Sequence, residues 1–258
     1  MEVTSYAPGT PSWVDLGTPD ATGAKAFYSA LFGWEIDEGP PEAGGYRMCM
    51  LNGHAVAGMG PQMNADMPPF WTTYVSVTDA DETTATVEAN GGQVLVPPMD
   101  VMDVGRMAIY MDPNGAAISA WQPRAHIGAG LVNEPGTLCW NELATRDTDV
   151  AATFYTAVFG WGTEVTDMGD FAYTSFTVND NMVAGMMPMG EMFPPEVPSH
   201  WAVYFAVADC DASAAQVTEL GGVVQSPPMD IPGVGRFAVC QDPQGAMFAL
   251  MTMTPAES

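Results

Sequence analysis

The sequence predicts an α+β chain of two tandem domains, each made of two βαβββ units, and three observations carry that prediction. Phe27-Tyr28-Ser29-Ala30-Leu31-Phe32-Gly33-Trp34 returns as Phe154-Tyr155-Thr156-Ala157-Val158-Phe159-Gly160-Trp161, a shift of 127 from position 27 to 154. Pro97-Pro98-Met99-Asp100 and Asp112-Pro113-Asn114-Gly115 return as Pro227-Pro228-Met229-Asp230 and Asp242-Pro243-Gln244-Gly245, a shift of 130 from 97 to 227. A period this long signals a duplicated domain rather than a solenoid. Third, within each copy a strand-like alternation and a helical stripe succeed one another in a fixed order.

From Pro11 to about Gly17 residues alternate as in a half-buried strand. Asp20 can then cap a helix whose apolar stripe, Ala24, Phe27, Tyr28 and Leu31, falls at i, i+3, i+4 and i+7, with Gly33 as its stop. Short strands follow at Tyr46–Leu51 and His54–Met59, joined by Asn52-Gly53, whose residues suit a type I′ hairpin. The order repeats with a strand at Trp71–Val77 and a helix capped near Asp79 or Asp81 and stopped at Gly91-Gly92. Strands at Gln93–Val96, Arg106–Met111 and Ala116–Gln122 complete the unit, the last two flanking an Asp-Pro-Asn-Gly turn. The expected layout is an N-terminal arm over 1–10, a first domain over 11–123 with units at about 11–64 and 69–123, and a linker over 124–135. A second domain spans 136–253, with units at about 136–190 and 199–253, and a tail spans 254–258. At 258 residues, each half is long enough to be expected to hold its own core.

The chain carries 31 Asp and Glu against 6 Lys and Arg, a formal net charge of −25. Nucleic acids and anionic membranes demand Lys and Arg, so neither is an expected partner. Cys49, Cys139, Cys210 and Cys240 form no Cys-x-x-Cys pair, which points away from a zinc cluster or disulfide framework and toward a reducing compartment. No stretch approaches the roughly 18 apolar residues of a membrane helix, and the N-terminal residues lack a secretory pattern, so a cytoplasmic location is expected.

The paired βαβββ units, the Phe-Tyr of the first helix followed by Phe-Gly-Trp, and Val-Gly-Arg followed after a strand by Asp-Pro-x-Gly together resemble the vicinal oxygen chelate family. That family includes glyoxalase I, extradiol dioxygenases and bleomycin-binding proteins, and the closest likeness is to its tandem-domain actinobacterial, glyoxalase-like members. The resemblance covers Thr10 to Thr252. It implies that the strands of each domain form a cupped mixed sheet around a cavity. In metal-dependent members, His or Glu side chains from the first and last strands of each unit meet inside that cup. Here the corresponding positions fall on Trp13 and Trp140, on Thr72 and Ala202, on Ser119 and Ala249, and around Ala57-Gly58 and Ala184-Gly185. None supplies the imidazole or carboxylate such a site needs, so neither metal nor cofactor is expected.

Residues two apart on a strand share a face, which places Asp15 beside Trp13, Glu142 beside Trp140, and His200 with Ala202 and Tyr204. A shifted Glu142–His200 ligand pair is conceivable on that pattern, against the plainer reading of Glu142 as a pocket carboxylate. His54 and His126 read as exposed or structural, and Arg106 and Arg236 as salt-bridge partners beside the cavity mouth. Twenty methionines and seven tryptophans suggest adaptable apolar walls with stacking faces. The expected ligand-binding set is Trp13, Asp15, Met48, Met50, Phe70, Thr72, Tyr74, Trp121, Trp140, Glu142, His200, Tyr204, Met247 and Met251.

Two functional readings follow. In the first, a metal-independent binding protein sequesters a planar, apolar or cationic metabolite or antibiotic, as in drug resistance or in the metabolism of anthracycline-type polyketides. In the second, a glyoxalase-like lyase or isomerase, or a hydroxylase-type enzyme, uses Asp15 or Glu142 as a general base with Tyr74 or Tyr204 as donor. The small molecule is the one expected partner, with a monomer or weak homodimer as the expected assembly.

Overall fold

The computed structural model describes every residue except 63, 65, 192 and 255–258, so most of the expected tail lies outside the described residues. The first half runs β1 (Pro11–Thr18), α1 (Ala21–Phe32), β2 (Glu35–Ile36), β3 (Arg47–Leu51), β4 (His54–Pro61), β5 (Phe70–Ser76), α2 (Ala80–Ala89), β6 (Gln93–Val101), β7 (Gly105–Met111) and β8 (Ala117–Pro123). The second half repeats it as β9 (Leu138–Thr145), α3 (Thr148–Phe159), β10 (Gly162–Asp167), β11 (Ala172–Val178), β12 (Asn181–Pro188), β13 (His200–Ala206), α4 (Cys210–Glu219), β14 (Val223–Ile231), β15 (Gly235–Gln241) and β16 (Met247–Met253). None of the described helices is long and apolar enough to cross a membrane.

The punctuation read from sequence is what ends these elements. Asp20 accepts from the Thr22 and Gly23 amides, and Gly33, at φ 73°, closes α1 in the left-handed region. Of the two candidate caps for α2, Asp79 is the one that accepts, from the Asp81 and Glu82 amides. Asn52 and Gly53 both take positive φ, as a type I′ turn requires. The strand expected to stop at Val96 continues to Val101 through Pro97 and Pro98, with its register disturbed between Val96 and Met99. β6 is the sheet edge and its pairing with β7 is interrupted at Pro97 and Pro98, so the ladder calls on neither missing proline N–H.

Each half forms one open eight-stranded mixed sheet, ordered β2-β3-β4-β1-β5-β8-β7-β6 in the first and β10-β11-β12-β9-β13-β16-β15-β14 in the second. The two units of a half meet at an antiparallel pair, β1 with β5 and β9 with β13. Strand alternation sends Trp13 and Asp15 to one face and Val14 and Leu16 to the other.

The cores correct the expectation that each half would hold its own. One core joins α1 and Val14, Leu16 and Trp71 of the first half to Phe205, Phe248, Leu250 and α4 of the second. The other joins Val75, Tyr110 and Ile118 with α2 to α3, Trp161 and Phe176. The apolar stripe read for α1 is buried as expected, but it packs against the opposite copy as well as against its own strands. Between the central strands, Thr73 donates to Asn141 at 2.8 Å in a buried position. The faces of the two sheets turned away from these cores carry separate apolar clusters, at the positions that the resemblance assigns to the cups.

Candidate functional site

Each cup is organised around one carboxylate on its central strand. In the first, Asp15 on β1 lies in register with Gly58 on β4 and Thr72 on β5. Its Oδ2 accepts from Tyr74 Oη at 3.0 Å and from Tyr46 Oη at 3.2 Å, and Trp13 Nε1 donates to the Tyr46 hydroxyl oxygen at 2.9 Å. The second cup repeats the cluster. Glu142 Oε1 accepts from Tyr204 Oη at 2.7 Å, its Oε2 from Tyr173 Oη at 2.8 Å, and Trp140 Nε1 donates to Tyr173 at 3.0 Å.

Both clusters need a glycine on the neighbouring strand. A Cβ on Gly58 would lie 1.8 Å from Tyr46 Oη, and one on Gly185 1.8 Å from Tyr173 Oη. The bare backbone there is what lets each tyrosine reach over β4 or β12 to the carboxylate.

Removal from water pushes the Asp15 carboxyl up to about 6, against the opposing pull of its tyrosine hydrogen bonds. Burial raises Glu142 in the same way, while its two tyrosines and the charge of His200 oppose the shift. Tyr46, Tyr74 and Tyr204 are held well above the usual phenol range by burial and then by the adjacent carboxylate, so they stay protonated. Every donor in each cluster is therefore committed: the tyrosine protons to the carboxylate, the indole N–H to a tyrosine. What the clusters retain is spare carboxylate lone pairs, which recognise a hydrogen-bond donor or a cation.

Around Asp15, the cup gathers Trp13, Tyr74, Trp121 and Ala129, with Met48, Ala55, Val101, Val104, Met107 and Val132 packed against them. Around Glu142 stand Tyr204, Ala249 and Met251, with Cys139, Trp140, Ala202, Ile231 and Phe237. Of the fourteen expected residues, Trp13, Asp15, Met48, Thr72, Tyr74 and Trp121 thus belong to one cup, and Trp140, Glu142, Tyr204 and Met251 to the other. The remaining four do not join these clusters. Met247 has the right strand parity but sits at the outer end of β16, 43% exposed. Met50 pairs with Ala55 beyond a one-residue bulge at Val56 of β4 and stands outside the cluster. Phe70 and His200 are the first residues of their strands; Phe70 pairs with Gly17, and His200 Nδ1 lies 2.9 Å from the Pro198 carbonyl oxygen rather than bonding Glu142. Tyr46 and Tyr173 were missed, although they repeat at the same shift of 127, from 46 to 173, as Trp13 with Trp140 and Asp15 with Glu142.

The stretch from Met99 to Arg106 is a strand end, a tight turn and a strand start. Arg106 pairs with Asp81 and Asp100, and Arg236 with Asp211 and Asp230, in the salt-bridge role expected. His54 Nε2 is 3.6 Å from Glu2. His126 instead packs edge-on against Trp13, with ring centres 4.5 Å apart, and against Trp121 at 5.7 Å.

The metal that the resemblance implies can be tested against these donors. Among the described residues no three His, Cys, Asp or Glu side chains come together, and each cup offers one carboxylate already bonded by two protonated tyrosines. That set does not fit a divalent catalytic metal, which takes three or more imidazole or carboxylate ligands.

Relatives match along the whole length. The protein CFP32 of Mycobacterium tuberculosis, provisionally named a glyoxylase, is 47% identical over 260 residues, covering 98% of each chain. The anthracycline biosynthesis proteins DauV of Streptomyces sp. (strain C5) and DnrV of Streptomyces peucetius are each 38% identical, covering 98% and 97% of this chain and 97% and 96% of their own. The fold is similar to that of the Mn(II)-bound glyoxalase from Novosphingobium aromaticivorans, with a TM-score of 0.66 at 18% identity over 95% of this chain and 82% of that one. It is equally similar to 2,2′,3-trihydroxybiphenyl 1,2-dioxygenase from Sphingomonas wittichii strain RW1, at 0.66 and 13% over 95% and 91%. A sequence model of one superfamily matches residues 10–119 and again 135–250, the two copies seen in the fold, and by that double match the chain belongs to the Glyoxalase/Bleomycin resistance protein/Dioxygenase superfamily.

Proposed function

We propose that the protein is a metal-independent small-molecule binder that holds a planar, largely apolar ligand bearing an amine or hydroxyl, with a role in natural-product metabolism of the anthracycline type. The observation that carries this reading is the carboxylate–tyrosine–tyrosine–tryptophan cluster, present in both cups, whose donors are spent while its carboxylate keeps spare lone pairs. An aromatic wall beside a buried acid suits a planar cation by stacking and charge-assisted contact. The names of DauV and DnrV point to the same ligand class, and the donor set supports binding without metal. The two halves share their cores, so a monomer supplies both cups.

The test is a calorimetric titration with doxorubicin, a planar tetracyclic amine, and with its aglycone, which lacks the amino sugar, each in EDTA. Saturable binding that is unchanged by the chelator and weaker for the aglycone is expected. Affinity that appears only with added Zn²⁺, Fe²⁺ or Mn²⁺ would overturn the reading.

One observation favours a second reading. An Asp15 carboxyl poised near 6 between two tyrosines is suited to moving a proton at a carbon beside a carbonyl. In that case the protein would isomerise a hydroxy-ketone or a thiol adduct of methylglyoxal, with turnover lost in Asp15→Asn. Absence of turnover with both substrates would remove it.

A further inference from the structure

Although the two cups descend from one sequence, their surroundings have diverged. In the first, residues 126–132 cross the aromatic wall. His126 stands edge-on to Trp13 and Trp121, and Ala129 and Val132 pack beside them, leaving Trp13 only 3% exposed. This cover is stitched down along its length. The His126 amide donates to Val104 O at 3.0 Å, the Ala129 amide to Ser12 O at 2.7 Å, the Gly130 amide to Ala55 O at 2.8 Å, and Tyr6 Oη to Ala129 O at 2.7 Å. Gly128, at φ 113°, passes so close that a Cβ would lie 2.3 Å from Ser12 O.

The linings differ as well. Ser12, Thr72 and Ser119 of the first half correspond to Cys139, Ala202 and Ala249 of the second. Among the described residues, Ser12 Oγ, Ser119 Oγ and His126 Nε2 are enclosed without a partner. Such atoms suit trapped water and penalise an apolar ligand that would leave them unpaired. The second cup presents alanine at two of the three positions, and Cys139 Sγ donates to Tyr204 O at 3.4 Å. Trp140, the counterpart of the covered Trp13, stays partly exposed beside Glu142.

We propose that the second cup, between Trp140 and Glu142, is the ligand site, and that the first is filled by the chain's own residues 126–132, which stand where a ligand would stack. The assignment rests on the binding reading above. The smaller, less polar wall at Ala202 and Ala249 admits a fused-ring ligand against the Trp140 face, and Glu142 receives its amine or hydroxyl.

The experiment is a calorimetric titration of the full chain with doxorubicin, in the wild type and in Ala249→Leu and Trp140→Ala, each checked for an unchanged circular dichroism spectrum. One ligand per chain is expected, with affinity reduced at least tenfold in both variants. Should one variant fail to fold, the other decides. His126→Ala, which uncovers Trp13, is expected to add a weaker second site. Two equal sites in the wild type, or one site indifferent to both variants, would overturn the assignment and leave the binding reading standing. No binding at any concentration would overturn both.

Discussion

Tyr28 in the first half donates its hydroxyl proton to Asp242 in the second, at 3.0 Å and fully buried, and Tyr155 returns the contact to Asp112 at 2.9 Å. Each aspartate also accepts from the backbone of its own hairpin turn, at Ala246 and Gln244 or at Ala116 and Asn114. The Asp-Pro-x-Gly turns therefore close a hairpin and anchor the other copy's helix at once.

Tyr28→Phe removes one donor from a buried carboxylate that keeps its backbone partners. A loss of about 1–3 kcal/mol is expected, as for other buried hydrogen bonds to charged groups. Urea unfolding would measure it, and Tyr155→Phe should match.

Separated halves, cut near Asn133, would each expose one side of both shared cores. Each is expected to be expanded and to bind hydrophobic dyes, and mixing the two should restore a compact species of native size on gel filtration. A half that unfolds cooperatively by itself would contradict the shared-core architecture.

The pH dependence of stability has a definite sign at Asp15. Its folded value of about 6 lies above the ordinary 3.8, so between these the native state holds more protons than the unfolded chain. This group's contribution is therefore fully present below about pH 4 and is lost as pH rises through 6, on the order of 3 kcal/mol. The difference in melting temperature between wild type and Asp15→Asn, followed from pH 4 to 7, isolates it from the other carboxylates. The gap should shift in favour of the amide as pH rises.

Tyr173→Phe removes one donor from Glu142 and strands the Trp140 N–H. Gly185→Ala reaches the same end by steric means, since its Cβ would occupy the space of Tyr173 Oη. Both are expected to weaken binding of an amine-bearing ligand about tenfold, and a titration with the two variants side by side checks whether they agree.

What the sequence made legible was local. Asp20, Gly33 and Asn52-Gly53 act through chemistry confined to a few residues, so their turns and caps could be read directly. The parity that put Trp13 and Asp15 on one face was legible for the same reason. Tyr46 escaped because it reaches Asp15 from 31 positions away, across an intervening strand, and only the repeat of the whole set at Tyr173 marks it. The burial of Phe27 and Tyr28 was legible, but their seating against Phe248 was not, since a hydrophobic stripe says that it needs a partner and nothing of which copy provides it.

That exchange of partners has a consequence during synthesis. When the ribosome has released the first half, the rings of Phe27, Tyr28 and Phe32 rest on their own strands but have not yet met Phe205 and Phe248, which come more than 170 residues later. The nascent chain must hold an unfinished, sticky intermediate until β13 and β16 emerge, the kind of species that aggregates and that chaperones shield. Contacts this distant in sequence also slow the final collapse. Truncated translation products of this chain should accordingly be conspicuous clients of the folding machinery, while the completed chain is not.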